Sequence, residues 1–206
     1  MSETGNPRRE YFDSLADGWD EMYDTERVLP LLQQGLEALG VGPAERILDL
    51  GCGTGILLGA LLARLGPAGR VEAVDLSPRM IARARDKFPD ERVRFHVADV
   101  TDPPVLDAGF DRAICFSAWP HFPEPDRVIA AIRRVLAPGG RAHVWHADSR
   151  AVIDDIHRHA GEAVHHDLLE PAAVLAERFE RQGLRVTQQQ DDEHGYLLSV
   201  VKEVGP

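Results

Sequence analysis

Apolar residues recur every three or four positions at Phe12, Leu15, Ala16 and Trp19, and again at Val28, Leu31, Leu32 and Leu36. That spacing gives one apolar face to each of two helices within residues 10–40. From residue 46 the pattern changes to short apolar runs, RILDL, RVEAVDL, VRFHVA, FDRAICF and RAHVWH, which predict strands. Helical spacing returns between them at Leu57, Leu58, Leu61, Leu62 and Leu65, at Met80, Ile81 and Ala84, and at Val128, Ile129, Ile132 and Leu136, with Gly139-Gly140 read as a helix stop. Strands alternating with helices specify a parallel sheet. The last sixty residues predict helices over 149–161 and 171–183, then strands LRVTQQ and YLLSVVK with only the loop 191–195 between them. A loop that short makes a hairpin, so one strand of the sheet must run antiparallel. The fold class expected is α/β: a doubly wound, mostly parallel seven-stranded sheet with an antiparallel C-terminal hairpin strand, plus N-terminal helices.

Composition narrows the picture without changing it. Hydrophobic residues make up 44% and charged residues 28% of the 206, values of an ordinary folded domain. One domain, residues 1–206, is expected. No apolar run is long enough to span a bilayer, and MSETGNPRRE lacks the apolar stretch of a signal peptide, so the expectation is a cytoplasmic protein with no membrane partner. The net charge of −11 and the lack of a Lys/Arg cluster argue against a nucleic-acid partner. Cys52 and Cys115 have neither disulfide nor metal-knuckle spacing.

The most informative stretch is ILDLGCGTG, residues 47–55, in which a strand ends at Asp49 and runs through Gly51, Gly53 and Gly55 into a helix. Glycines there let a ligand approach the backbone closely. A dinucleotide site needs G-x-G-x-x-G, but counting from Gly51 or Gly53 puts Ile56 or Leu58 where the last small residue belongs. Asp49 would also repel a pyrophosphate, whereas it suits the cationic amino group of a methionine moiety.

Asp49 to Gly55 reads D-x-G-x-G-x-G, and in this the chain resembles the class I S-adenosylmethionine-dependent methyltransferases of small-molecule type. The resemblance implies a Rossmann-like fold, with 45–147 as the cofactor-binding core, 1–40 as an N-terminal helical lid carrying Tyr11, Phe12, Trp19 and Tyr23, and 148–206 as C-terminal helices and β-hairpin. It assigns Asp75, twenty residues after Gly55, to the ribose hydroxyls, Leu76 and Met80 to the adenine face, Asp99 to the adenine amino group with the Val100 backbone near the ring, and Ser117 to the cofactor edge. Taken singly, an Asp after a strand is as readily a turn or helix cap, and Asp102 and Pro103 read as turn residues. The ordered set of Asp49, three alternating glycines, Asp75, Asp99 and a Pro-Gly-Gly before the fifth strand has no shared structural cause.

Ligands of open α/β sheets bind beyond the carboxyl ends of the strands, which points to SAWPHF and HADS for the methyl acceptor. His121 and His146 are the candidate catalytic bases there. Seven of the nine histidines lie between His121 and His166, which raises a divalent metal held by His121, His146 and His157, or by His165 or His166, with Asp148 or Asp167 completing the site. The function expected is in-line methyl transfer from S-adenosylmethionine to a small-molecule acceptor, with homodimerisation left open. Two rivals stand beside it: a domain that binds the cofactor without transferring its methyl, and a nicotinamide-dependent oxidoreductase. SAWPHF occupies the place of the N-P-P-Y tetrapeptide that accompanies methylation of base or glutamine amino groups. The two cysteines offer no trio of thiols for arsenic.

Overall fold

The computed structural model describes residues 6–22, 24–101 and 109–205. Tyr23, Asp102 and Pro103 lie outside the described residues. The order of elements is α1 (Pro7–Leu15), a 3₁₀ turn (Trp19–Met22), α2 (Thr25–Ala38), β1 (Arg46–Leu50), α3 (Ile56–Arg64), β2 (Arg70–Asp75), α4 (Pro78–Lys87), β3 (Val93–Val97) and β4 (Phe110–Phe116). A second 3₁₀ turn (Trp119–His121), α5 (Pro125–Val135), β5 (Leu136–His146), α6 (Arg150–Arg158), α7 (Ala172–Arg181), β6 (Leu184–Asp192) and β7 (Gly195–Lys202) follow.

The seven strands form one sheet in the order β3-β2-β1-β4-β5-β7-β6. All pairs are parallel except those of β7, which runs antiparallel to both β5 and β6. The hairpin expected from YLLSVVK is therefore present, and its strands reach closer than the sequence suggests, to Asp192 and Gly195. Chain order reverses between β1 and β4, and such a switch point opens a crevice at the carboxyl ends of the strands.

Alternation along the strands separates two cores. Ile47, Ala73, Ile114, Phe116 and Trp145 face α2, α3 and α4, while Leu48, Ala113, Cys115, Val144 and Leu198 face α5 and α7. Trp145 packs so closely on α2 that a Cβ on Gly35 would stand 2.3 Å from its ring. Local caps fix the helices that flank the crevice. The Asn6 side chain accepts from the amides of Arg8 and Arg9, with Pro7 opening α1, and Ser77 Oγ accepts from Met80 N at 3.0 Å, with Pro78 opening α4.

Gly139-Gly140 does not stop a helix. Helix α5 ends at Val135, and the LAPGG run already belongs to β5, where Leu136 pairs with Phe110 across an irregular register. A Cβ on Gly140 would lie 2.7 Å from the carbonyl of Phe110, so the glycine permits close approach of two strands.

Candidate active site

Asp49, next to last in β1, is almost fully buried, and its Oδ2 has no hydrogen-bond partner among the described residues. Burial, reinforced by the neighbouring Asp75, pushes its pKa up to about 8. Asp75 at the tip of β2 is better supported. Its Oδ2 accepts from Gly53 N at 2.8 Å and its Oδ1 from Ser77 N at 2.8 Å, and these amides partly offset the rise that burial imposes on its pKa. Gly51 turns the chain at φ +71°, where a Cβ would also meet that of Ala118 at 2.6 Å. Gly55 sits at φ +91° as the N-cap of α3, behind this wall.

Asp49, Gly51, Gly53, Asp75, Leu76, Met80, Asp99, Val100, Ser117 and His121 all line a single cavity of about 150 Å³ at the carboxyl end of the sheet. Gly55 supports it from α3 without lining it. Asp99 Oδ1 accepts from the amide and hydroxyl of Thr101, at 2.8 and 2.7 Å. The orphaned Asp49 carboxyl and the paired Asp75 carboxyl in one apolar cleft fit an ammonium group and a vicinal diol, groups that S-adenosylmethionine carries on its methionine and its ribose.

The N-terminal segment closes over this cavity. Phe12 and Trp19 line it, and Asp13 Oδ1 accepts from Ser77 Oγ at 2.5 Å and from Arg79 N at 3.2 Å. Asp17 pairs with Arg79, and Asp20 bridges Lys87 (2.8 Å) and Thr54 Oγ1 (2.5 Å). Burial would raise Asp20, but hydrogen bonds from Lys87 and Thr54 bring its carboxyl below the ordinary value. These acids on the covering segment carried no signal in the sequence, because their partners lie in the glycine turn and at α4, far along the chain.

A second cavity, of about 240 Å³, lies between the N-terminal segment and α6. It shares Phe12, Trp19, Phe116, Ser117 and His121 with the first, so the two meet at these residues. Ser117 is strained there at φ +53°, a region that costs a non-glycine residue about 1–3 kcal/mol. His121 Nδ1 stands 3.0 Å from Asp167 Oδ2, and Arg8 grips the same carboxylate. Burial alone would raise the pKa of Asp167; the hydrogen bonds from His121 and Arg8 outweigh it and hold the carboxyl below the usual range. An ionised Asp167 fixes the proton of His121 on Nδ1 and leaves its Nε2 as the acceptor.

His146 lies at the end of β5 on the wall of the second cavity, 1% exposed, with neither ring nitrogen partnered among the described residues. Burial, aided by the nearby His121 and His157, pushes its pKa down to about 3. A ring so disfavoured as a cation is better suited to hydrogen bonding in its neutral form, and of the two expected bases only His121 is held by a carboxylate. His157 on α6 contacts the His121 ring at 4.8 Å between centroids, and its Nδ1 is likewise unpartnered.

The metal expectation on His121, His146 and His157 does not hold among the described residues, where no group of three His, Cys, Asp or Glu side chains is arranged to hold an ion. The acids that would complete the site are taken by other partners: Asp167 by Arg8 and His121, Asp148 by Arg27 at 2.9 Å, and the half-buried His165 turns to the Glu162 carbonyl. Among the described residues, no helix is long and apolar enough to cross a membrane.

Residues 47–140 match the family described as methyltransferase domain, the stretch that holds Asp49, Asp75, Asp99, Ser117 and His121. Methyltransferase GfsG of Streptomyces halstedii is 32% identical over 130 residues, covering 61% of this chain and 46% of its own length. The chain thus spans less than half of that relative. Among solved structures, an S-adenosylmethionine-dependent methyltransferase from Aquifex aeolicus superposes with a TM-score of 0.65 at 21% identity, over 96% of this chain and 98% of that one. The [4+2]-cyclase SpnF superposes at 0.67 with 22% identity, over 87% and 81%, so the fold by itself does not dictate methyl transfer. The family likeness thus covers residues 47–140, and the solved structures share the fold of the whole chain.

Proposed function

We propose that this protein transfers the methyl group of S-adenosylmethionine to a small-molecule acceptor by in-line displacement. The observation that carries the reading is the junction of two cavities at Phe12, Trp19, Phe116, Ser117 and His121. One cavity has the acidic pair suited to the donor, and the other is a separate, largely apolar chamber for the acceptor. The donor, consumed as a substrate, supplies an electrophilic methyl on a sulfonium. The chain's own contribution is then alignment and exclusion of water, and orientation alone is worth about 7–11 kcal/mol. Residues 6–22 act as the lid, with Trp19 and Phe12 presenting aromatic faces to the sulfonium and the acids Asp13, Asp17 and Asp20 latching the segment to α4 and the glycine turn. His121, held by Asp167, is the candidate base.

Titration calorimetry with S-adenosylmethionine and S-adenosylhomocysteine tests the donor site. Micromolar binding that Asp75→Ala weakens at least tenfold is the expected result, and no binding to the folded wild type overturns it. Production of S-adenosylhomocysteine with an acceptor separates an enzyme from a domain that only binds.

A further inference from the structure

From the imidazole wall of the second cavity, we infer that the acceptor is a neutral, hydroxylated aromatic ring whose hydroxyl is held by His146 and gives its proton to His121. The inference rests on the second cavity being the acceptor site. His146 and His157 contribute three ring nitrogens with no partner among the described residues, all from side chains at most 8% exposed. A buried polar atom left unmatched is costly, and both residues line the same chamber. A ligand that both donates and accepts hydrogen bonds removes that cost.

The chamber's charges decide which ligand. Among the described residues its charged side chains, histidines apart, are Asp24, Arg27 and Asp148: Arg27 pairs with Asp148, and Asp24 caps α2 through the amide of Arg27. A carboxylate acceptor finds no cation there outside that ion pair, and the two acids are taken by the pair and the cap. A neutral hydroxyl needs neither. The remaining walls, Tyr11, Phe12, Trp19 and Phe116 with Ile153 and Val164, suit a flat apolar body.

The chemistry balances. The hydroxyl oxygen gains the methyl carbon, the carbon–sulfur bond breaks with its electron pair left on sulfur, and the hydroxyl proton passes to His121 Nε2. Asp167 then faces an imidazolium, the charge its ionised carboxylate is placed to stabilise. His146 does not take the proton; it orients the oxygen and sets which acceptors are admitted.

The probes are 2-naphthol, 2-naphthylamine and 2-naphthoate, alike in shape and different in the group presented. Each is titrated into protein saturated with S-adenosylhomocysteine. We expect 2-naphthol to bind at least tenfold more tightly than the other two, His146→Leu to abolish that preference, and His146→Gln to restore part of it, with affinity for S-adenosylhomocysteine unchanged in both variants. The ring ¹⁵N resonances of His146 should shift on adding 2-naphthol and stay fixed on adding 2-naphthoate. Equal binding of the three probes, no binding of 2-naphthol, or a preference that survives His146→Leu overturns the inference while leaving the donor site standing. Failure of S-adenosylhomocysteine itself to bind overturns the donor reading instead.

Discussion

Two groups of buried polar side chains, one on each face of the same sheet, use histidine in opposite ways. On the α2 face, Arg112 donates to Glu45 (2.7 and 2.9 Å), to the carbonyls of Leu39 and Gly40, and to His143 Nε2 at 2.7 Å, while His143 Nδ1 meets Ser199 Oγ at 2.9 Å. On the other face His146 has no such company. Both rings are held near pKa 3, first by burial; the second cause is Arg112 for His143 and the neighbouring histidines for His146. A depressed pKa is therefore common to a closed structural network and a buried ring whose nitrogens have no partner among the described residues. What separates them is whether the nitrogens are used within the fold.

The largest expected effect tests the closed network. Arg112→Met leaves Glu45, His143 and two carbonyls without their donor, and stability should fall by about 3–5 kcal/mol, the usual consequence of breaking a buried charge pair from one side. Chemical denaturation measures it. A loss below about 1 kcal/mol would mean that the network is no more committed than the ring of His146.

The next effect sets the two histidines against each other. His143→Leu strands Arg112 and Ser199, at a cost of about 1–3 kcal/mol, whereas His146→Leu removes two nitrogens that bond nothing and should leave stability within about 1 kcal/mol of wild type. The same pair sets an acid limit. Both pKa values lie below the ordinary 6.5, so between pH 6.5 and about 3 the unfolded chain binds protons that the native one refuses. Their contribution is complete above pH 6.5 and is lost as pH falls toward 3. His146→Leu should flatten the stability–pH profile in that window. An unchanged profile would show that His146 is solvated in solution.

This contrast also marks how much the sequence could reveal. His143 and His146 are three residues apart in the run RAHVWH, where alternation puts them on opposite faces but does not say what covers each face. The partners of His143 come from β4 and β7, and that of His121 is Asp167, itself held by Arg8; no local spacing encodes such contacts. Asp49 and Asp75 were legible because strand, glycine turn and helix are consecutive, so the sequence itself delivers both carboxyls to one crevice. The five parallel strands and the hairpin followed from alternation and from a loop too short to cross over. Gly139-Gly140 was misread because a helix stop and a close crossing of strands both ask for a missing Cβ, and only the carbonyl of Phe110 tells them apart.

A smaller stability effect, with a larger one on binding, is expected at Asp49. Its pKa of about 8 lies above the ordinary 3.8, so its contribution is complete below pH 3.8 and declines as pH rises to 8, where the unpaired carboxyl must ionise in place. Asp49→Asn should therefore be near neutral in stability at acid pH, stabilising above pH 8, and at least tenfold weaker for S-adenosylhomocysteine, a loss of about 1.4 kcal/mol. Calorimetry of the wild type near pH 7 in buffers of different ionisation enthalpy should show release of a proton as the ligand ammonium meets the carboxyl. Binding without proton release would place Asp49 among the satisfied groups and blur its likeness to His146.

The smallest effect belongs to the rim of the second cavity, where Arg27 meets Asp148 at 2.9 and 3.1 Å with side chains 54% and 30% exposed. Water screens such a pair, and Arg27→Ala should cost about 0.2–1 kcal/mol, less still at high salt. Its interest lies in specificity. Removing the guanidinium leaves Asp148 as an uncommitted acid at the mouth of the chamber, so 2-naphthylamine in its cationic form should gain on 2-naphthol when the pH is lowered enough to protonate the amine, and not in the wild type. If the ratio of the two probes is the same in both proteins at every pH, the rim does not select the acceptor, and discrimination rests on the unpartnered imidazoles behind it.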